Sequence, residues 1–368
     1  MARKPETSKP ANTPAPATEK PEIIDFKSAK PMPAWVRDVI DAHIAIEAED
    51  ARRAGSVGFM TRAMVLATMP YRDPKQDLFV RQNGDFRLRI IAGHEGGIPY
   101  GVYPRLLLSW ITTEAMRTNS SEIELGDSLA AFLRNVLDIR GRGGGARGSG
   151  ARVFEQMART FGAVITASYS GSLASRGFQL RNVVIAEEVN ISPHDVKRFR
   201  NLTAEDPPAL EAPAGGALSS DDLWVPQARD EAGRWKSVVK LNQKFFAECI
   251  ENPVPIDLRA FKALRGSAMA MDIYAWLTYR MAYTRKATRP IPWEMLQMQF
   301  GTSLPNDDQG KRDFKKAFIK NLKLVATVYP EAKVDVRDNG LVLYPSPTHI
   351  PSIVQGGAKQ RLLFGSGD

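Results

Sequence analysis

Residues 307–330, DDQGKRDFKKAFIKNLKLVATVYP, predict an amphipathic helix with one basic and one apolar face. The basic stripe consists of Arg312, Lys316, Lys320 and Lys323. The opposite face, at about 100° of rotation per residue, consists of Phe314, Phe318, Leu322 and Val325. Asn306 or Asp307 is expected to open this helix. We therefore expect the apolar face to pack against the core and the basic stripe to face solvent.

The surrounding sequence predicts other helices before this helix and a hairpin after it. Asp257 is expected to cap a short helix, and Ser267 a long one, SAMAMDIYAWLTYRMAYTRK, whose sides are nearly all apolar. A short helix follows between Pro290 and Phe300. Asn339-Gly340 between two alternating segments, 332–338 and 341–344, predicts a hairpin. Helices followed by a hairpin form the outline of a winged helix.

The first half of the chain repeats that order. Pro104–Thr118 has helical periodicity, Asp127 is expected to cap a second helix, and a third runs from Val153 to Phe161. The period then becomes that of strands, with AVITASY at 163–169 and GFQLRNVVIAEEV at 177–189. The halves share the order of their elements rather than their sequences.

Proline-rich and acidic segments divide the chain. We expect a disordered Pro-rich tail at 1–33, a winged-helix domain at 34–200, an acidic linker at 201–232, a second winged-helix domain at 233–345 and an irregular tail at 346–368. The predicted fold class is α+β, mainly helical, with tandem winged-helix domains joined by a flexible acidic linker. Such a linker predicts that the two halves can change their mutual orientation.

The charge is unevenly distributed. The 368 residues carry a formal net charge of +9, with 50 Lys and Arg against 41 Asp and Glu. Residues 201–231 contain seven acids and one base, which is a net −6, so the rest of the chain carries +15. A basic surplus of that size indicates a polyanionic partner, with nucleic acid ahead of an anionic membrane.

The composition argues against several classes of enzyme. The single cysteine, Cys249, excludes an internal disulfide and a multi-cysteine zinc site, and the four histidines are scattered. No phosphate-binding loop ends in Gly-Lys-Ser/Thr, and no apolar run approaches the roughly 18 residues of a membrane span. We expect a cytoplasmic protein, associated with plasmid or nucleoid, that is not an enzyme and has no cofactor or metal site. A nicking or primer-making enzyme is the alternative that these absences disfavour.

The basic stripe is the first candidate DNA-binding site. Lys311 and Lys315 flank Arg312, Lys316, Lys320 and Lys323, and the stripe lies where a winged helix has its recognition helix, between a short helix and a hairpin. Phosphate contacts and some base reading are the expected roles. The alternative is a solvated lysine face without a partner.

A second candidate set lies on the third helix of the first half. Arg152, Gln156 and Arg159 share a face opposite the apolar residues, with Arg147 at the helix entry. Arginine suits guanine edges and glutamine suits adenine, so this set could specify sequence, although a solvated surface would look the same. The glycine cluster at 143–148 formally matches a dinucleotide fingerprint, but it follows a helix rather than a strand, and we interpret it as a turn.

Longer strings resemble a known family. GIPYGVYPRLLLSWITTEAMRT at 97–118 and ELGDSLAAFLRNVL from Glu124 are similar to the conserved block of plasmid-encoded RepA replication initiator proteins. The string IDLRAFKALRGSAMAMDIYAWLTYRM from Ile256 adds to the resemblance, which extends over roughly residues 60–345.

The resemblance implies a function without covalent chemistry. It implies tandem winged-helix domains that bind repeated double-stranded DNA sites at a plasmid origin, help to open an AT-rich segment and recruit the host helicase and host initiator proteins. It also implies repression of the protein's own promoter and a homodimer in exchange with a monomer. A dimeric winged-helix transcriptional repressor without origin-melting activity is the alternative.

Overall fold

The structure is a computed structural model that describes residues 34–84, 86–125, 149–169, 179–190, 238–301 and 307–350. Its helices are α1 (Ala34–Ala48), α2 (Arg62–Leu66), α3 (Val102–Thr118), α4 (Ser149–Gly162), α5 (Gln243–Glu251), α6 (Leu258–Ala263), α7 (Ala268–Met281), α8 (Trp293–Phe300) and α9 (Asp308–Val328). Its strands are β1 (Val57–Thr61), β2 (Leu78–Asn83), β3 (Phe86–Ile91), β4 (Glu122–Glu124), β5 (Val164–Tyr169), β6 (Gln179–Val184), β7 (Ala186–Asn190), β8 (Val238–Leu241), β9 (Pro253–Asp257), β10 (Val334–Arg337) and β11 (Gly340–Leu343). This mixture of helices and antiparallel strands confirms the α+β class. No described helix has the length and apolar character needed to span a membrane.

Side-chain caps begin three helices at the residues that the sequence predicts. Asp257 accepts a hydrogen bond from the backbone N–H of Arg259 at 2.8 Å, and Ser267 accepts one from Ala270 at 3.4 Å. Asp307 accepts one from the N–H of Gly310 at 2.6 Å and so caps α9. Each cap satisfies an N–H group that the first helical turn leaves without a backbone partner.

A four-stranded antiparallel sheet, in the order β2-β3-β5-β6, dominates the first half. β5 pairs with β6 as predicted, from Val164 opposite Val184 to Tyr169 opposite Gln179. The later part of the second predicted strand instead forms β7, which pairs with β8 in a different sheet. Phe86, Leu88 and Ile90 on alternate positions of β3 are buried. Strands β2 and β3 were missing from the expected outline, so this half has a larger sheet than a hairpin alone.

Two smaller sheets join the predicted halves. β1 pairs with β9, with Val57 opposite Asp257 and Thr61 opposite Pro253. β8 pairs with both β4 and β7 in a three-stranded sheet. Changing the orientation of the halves would therefore require these two sheets to break.

The hydrophobic core also crosses the predicted boundaries at residues 200 and 233. Buried side chains of the described residues in both halves form one core cluster. α1 lies against α6 and α9, and α3 lies against α5 and α7. The domain limits stay a prediction, but the described residues are packed together across them.

The residues after α6 form a unit that supports α9. α7 is buried on nearly all sides, as its sequence predicts. Ile291 then pairs with Leu341 through two backbone hydrogen bonds of 2.8 and 2.9 Å, before α8, α9 and the hairpin β10–β11. Gly340 is required at the hairpin turn, because a Cβ atom there would lie 2.2 Å from the carbonyl oxygen of Ile291.

Several expectations lie outside the described residues. They concern the tail at 1–33, the helix opened by Asp127, the turn at 141–148 and the linker at 201–232. Residues 346–350 have no regular secondary structure, as expected for that tail, yet Ile350 is buried.

Candidate nucleic-acid interface

α9 presents a continuous basic stripe to solvent. Arg312, Lys316, Lys320 and Lys323 are all exposed, as predicted. From Arg312 to Lys323 the stripe extends about 16 Å along the helix axis, at about 1.5 Å per residue. This length is comparable to several consecutive phosphates of one DNA strand.

The opposite face of α9 is fixed in the core. Phe314 and Phe318 are fully buried, and Leu322 and Val325 are buried with them. The ring of Phe318 packs edge-on against Trp293 at 5.9 Å and against Phe300 at 5.4 Å, both from α8. Because these aromatic contacts define the rotation of α9 about its axis, they also hold the basic stripe outward.

The two lysines that flank the stripe lie toward α8 and the hairpin. Lys311 Nζ lies 4.0 Å from a carboxylate oxygen of Glu294. Lys315 Nζ lies 3.6 Å from Asp338 and 5.2 Å from the centre of the Trp293 ring. Both are partly neutralised by acids and half-buried, so they are less available to a polyanion than the stripe itself.

Within the described residues, no carboxylate lies within ion-pair distance of Lys316, Lys320 or Lys323. Arg312 instead donates to the side-chain oxygen of Gln309 at 2.9 Å, and Gln309 donates to Asp313 at 2.9 Å. An unpaired row of ammonium groups attracts phosphate without first having to break an internal ion pair.

The first-half set does not share one exposed face. Arg152 is exposed, as predicted, but Gln156 is only 4% exposed. The side-chain oxygen of Gln156 accepts a hydrogen bond of 2.9 Å from the backbone N–H of Tyr100. The expectation that Gln156 points to solvent is therefore wrong, because its amide satisfies a backbone donor of the segment before α3.

Arg159 is also buried, at 9% exposure, and the same expectation is wrong for it. Its guanidinium lies 2.8 Å from Glu155 and 3.5 Å from Asp73, and its central carbon lies 5.2 Å from the centre of the Tyr100 ring. These contacts join α4 to the loop before β2. Arg147 lies outside the described residues, so its role stays a prediction.

Sequence reasoning missed other exposed cations. Arg87 and Arg89 are exposed on β3, on the face opposite its buried residues. The loop after α7 exposes Arg285, Lys286 and Arg289. The alternation in FRLRII and the run TRKATR at 284–289 are the signals that would have found them. Among the described residues, no cluster of three or more His, Cys, Asp or Glu side chains is placed to hold a metal ion.

Comparison with known proteins gives one family and one solved structure. A family model described as plasmid encoded RepA protein matches residues 98–203 and 218–294. A solved chain titled "Crystal structure of SeMet derivatives of domain2 and domain 3 of RctB" matches at 10% sequence identity, over 77% of this chain and 95% of that chain, with a TM-score of 0.40. No curated protein matches the sequence.

Proposed function

This chain belongs to the family of plasmid-encoded RepA proteins, and from that membership we propose that it is a replication initiator. In this proposal it binds repeated double-stranded DNA sites at a plasmid origin, helps to open an AT-rich segment and recruits the host helicase and host initiator proteins. It also represses its own promoter, exchanges between homodimer and monomer, and acts in the cytoplasm in association with the plasmid. It makes or breaks no covalent bond in the DNA.

The unpaired basic stripe of α9 carries the proposal. We interpret α7, the Ile291–Leu341 pair, α8, α9 and β10–β11 as a winged helix, since their order along the chain is the one that this motif requires. α9 would then be the recognition helix, and Arg312, Lys316, Lys320 and Lys323 would contact the phosphates that border the major groove.

The first half supplies a second, weaker set of DNA contacts in this proposal. Arg152 keeps its proposed role, because it is exposed on α4. Gln156 and Arg159 position α4 rather than contact DNA. A first winged helix around α3, α4 and the hairpin β5–β6 stays part of the proposal.

The test is DNA binding by the double variant Lys316→Ala, Lys320→Ala. A footprint on the DNA that flanks the protein's own gene first supplies the site. Affinity is then measured between about 50 and 200 mM salt, where each phosphate contact contributes about −0.9 to the log–log slope. We expect weaker binding and a slope that is smaller in magnitude by about 1.8, since two contacts are lost.

The matched control is Arg53→Ala, Lys244→Ala, which removes two exposed positive charges that do not belong to α9. This control lowers the net charge by two, as the Lys316→Ala, Lys320→Ala variant does. It is expected to keep the salt slope of the unaltered protein. An unchanged affinity and slope in the Lys316→Ala, Lys320→Ala protein would show that α9 is not the recognition helix.

Origin opening distinguishes an initiator from a dimeric repressor. Permanganate reacts with unpaired thymines, so an initiator should make an AT-rich segment beside its sites reactive on supercoiled DNA. A repressor would leave that segment unreactive at saturating protein. The same supercoiled DNA, incubated with magnesium or manganese, is expected to stay unnicked, and a nicked product would overturn the non-enzymatic part of the proposal.

A further inference from the structure

A small cavity of about 70 Å³ opens where α7, α8 and β2 meet. It lies between the two predicted halves, because Leu66 and Asn83 come from the first half and the other lining residues from the second. The remaining wall is formed by Trp276, Tyr279, Arg280, Tyr283, Ile291, Met295 and Gln299. This volume is below the range of about 300 to 1,000 Å³ that is typical of pockets for drug-sized ligands, so the cavity has room for no more than one side chain.

Arg280 is the charged group of this cavity. Its guanidinium carbon lies 5.7 Å from the centre of the Trp276 ring and 5.7 Å from that of Tyr283. The Nε atom is buried and has no hydrogen-bond partner. No acidic side chain of the described residues lies within ion-pair distance of Arg280. A buried donor on a charged group without a partner is costly, so a ligand that accepts from it would gain binding energy.

The two side-chain amide nitrogens of the wall already donate to backbone carbonyls. The side-chain nitrogen of Asn83 donates to the carbonyl of Leu66 at 2.7 Å, and that of Gln299 donates to the carbonyl of Val65 at 3.1 Å. Tyr283 is partly buried, and the desolvation of its phenol raises the pKa of that group above its ordinary value, so the phenol is uncharged at neutral pH. The cavity therefore offers an apolar and aromatic surface with one cationic donor group that lacks a counter-ion.

The rim of the cavity is apolar and is bordered by positive charge. Tyr283 is 42% exposed and Met295 is 46% exposed. Tyr283 and Ile291, which both line the cavity, are the two ends of the loop that exposes Arg285, Lys286 and Arg289. This loop is held in place, since the N–H of Thr288 donates to the carbonyl of Leu343 at 2.9 Å.

We propose that this cavity is a docking site for an acidic peptide segment of a partner protein. An apolar side chain of the peptide fills the cavity, a neighbouring carboxylate accepts from Arg280, and further acids lie near the basic loop. Tyrosine, methionine and arginine are the residues that binding interfaces favour at their centres. The proposal extends the recruiting part of the proposed function and does not depend on the DNA contacts of α9.

A protein fits this site better than a nucleic acid does. Base recognition needs free hydrogen-bonding edges, and the side-chain nitrogens of Asn83 and Gln299 already donate to the backbone carbonyls of Leu66 and Val65. Stacking needs an open ring face, but Trp276 is only 3% exposed, and the Tyr279 and Tyr283 rings meet at 72°. The cavity instead suits one side chain that enters from a peptide.

The test uses the full chain with carbon-13-labelled methionine methyl groups. The probe is the peptide Ac-Ala-Glu-Phe-Glu-Ala-NH2, and its uncharged counterpart has glutamine in place of both glutamates. Met295 reports on the cavity, while Met298, which is exposed on the same helix but does not line the cavity, is the internal control. We expect the glutamate peptide to shift the Met295 signal saturably and to bind about tenfold more tightly than the glutamine peptide.

Arg280→Met should remove that tenfold preference while it keeps an unbranched apolar stem at this position. Equal binding of the two peptides to the unaltered protein, or no shift at Met295, would overturn the proposal. A Met295 shift with oligothymidine instead of the peptide would assign the cavity to nucleic acid and also overturn it. Arg280→Met should bind origin DNA normally, and the Lys316→Ala, Lys320→Ala protein should bind the peptide normally, so the two proposals fail separately.

Discussion

The guanidinium of Arg105 forms two hydrogen bonds of 2.7 Å with the two carboxylate oxygens of Asp272, and both side chains are buried. The remaining donors of Arg105 reach the backbone carbonyls of Met69, Pro70 and Gly101. Arg105 belongs to α3 and Asp272 to α7, so this pair joins the two predicted halves through their central helices. The β1–β9 pairing joins them a second time.

We predict that Asp272→Ala destabilises the protein by about 3–5 kcal/mol, because it leaves the Arg105 charge buried without a counter-ion. Urea unfolding followed by circular dichroism measures the change. The double variant Arg105→Met, Asp272→Leu removes both charges and should be more stable than Asp272→Ala alone. If the double variant were the less stable of the two, the stabilisation would come from packing and from the bonds of Arg105 to the three carbonyls, and not from compensation of a buried charge.

The sequence alone places Arg105 in a distinctive string, but it does not identify Asp272 as the partner of Arg105. The string PYGVYPRLLL at 99–108 is distinctive, and Gly101 within it has φ 77° and ψ −154°, a backbone conformation essentially restricted to glycine. Asp272 lies 167 residues further along, inside a helix whose apolar composition predicts only burial. Pairs so distant in sequence leave no periodic signal, and for the same reason the β1–β9 pairing was not expected.

The helices α9 and α4 show that the same limit applies to the prediction of site residues. The α9 stripe could be predicted because its apolar and basic faces belong to one helix and follow one period. On α4 the same reasoning placed Gln156 and Arg159 in solvent, since their partners Tyr100 and Asp73 come from other segments. Helical periodicity identifies the face that is not apolar, but not whether another segment covers it.

We predict that Gln156→Ala lowers stability and leaves base preference unchanged. The substitution removes the acceptor for the Tyr100 N–H, and an unsatisfied buried donor costs about 1–3 kcal/mol. Arg152→Ala is the matched variant on the exposed side of α4, and its stability should change by less than about 0.5 kcal/mol. Thermal unfolding and binding to a panel of site variants measure both effects.

Arg152→Ala, in contrast, should weaken DNA binding if the first half contacts the site as proposed. A change of base preference in Gln156→Ala, at full stability, would return this residue to the DNA interface. Normal DNA binding by Arg152→Ala would instead remove α4 from it.

We predict that Cys249 is unreactive in the folded protein. The thiol is fully buried beside the Thr112 hydroxyl, at 3.8 Å, and burial raises its pKa to about 12. The thiolate is the reactive form of cysteine. Alkylation is therefore slow, because the reagent cannot reach the buried sulfur and because the raised pKa keeps the thiol protonated. We therefore expect the fraction of Cys249 labelled by iodoacetamide, measured by mass spectrometry, to increase with urea concentration only as the whole protein unfolds.

The control thiol is Ala326→Cys, at an exposed position of α9, which should be labelled without urea in the same molecule. Labelling of Cys249 at a urea concentration where circular dichroism is still native would indicate local opening around α5, and would contradict the prediction.

We predict that stability falls as the pH is lowered below about 6.5, and that His349 causes part of that loss. His349 lies in the segment after β11, where its ring stacks on Tyr329 at 4.6 Å. The Tyr274 hydroxyl accepts from the backbone N–H of Asp257 at 2.9 Å and lies 2.6 Å from His349 Nδ1. The hydroxyl can donate to Nδ1 only while Nδ1 carries no proton, and the lowered pKa of His349 favours that neutral form of the imidazole.

Burial lowers the pKa of His349 in the folded protein, while Asp257 and Glu331 oppose that shift and Arg259 adds to it. Between the ordinary value and the lowered one, the unfolded chain binds a proton that the folded chain does not. The stabilisation is therefore complete above about pH 6.5 and is lost as the pH falls toward the folded pKa. Urea unfolding between about pH 7.5 and 5 should show a shallower pH dependence for His349→Gln than for the unaltered protein. Identical slopes would mean that His349 is protonated as readily in the folded state, with the Tyr274 hydrogen bond reversed.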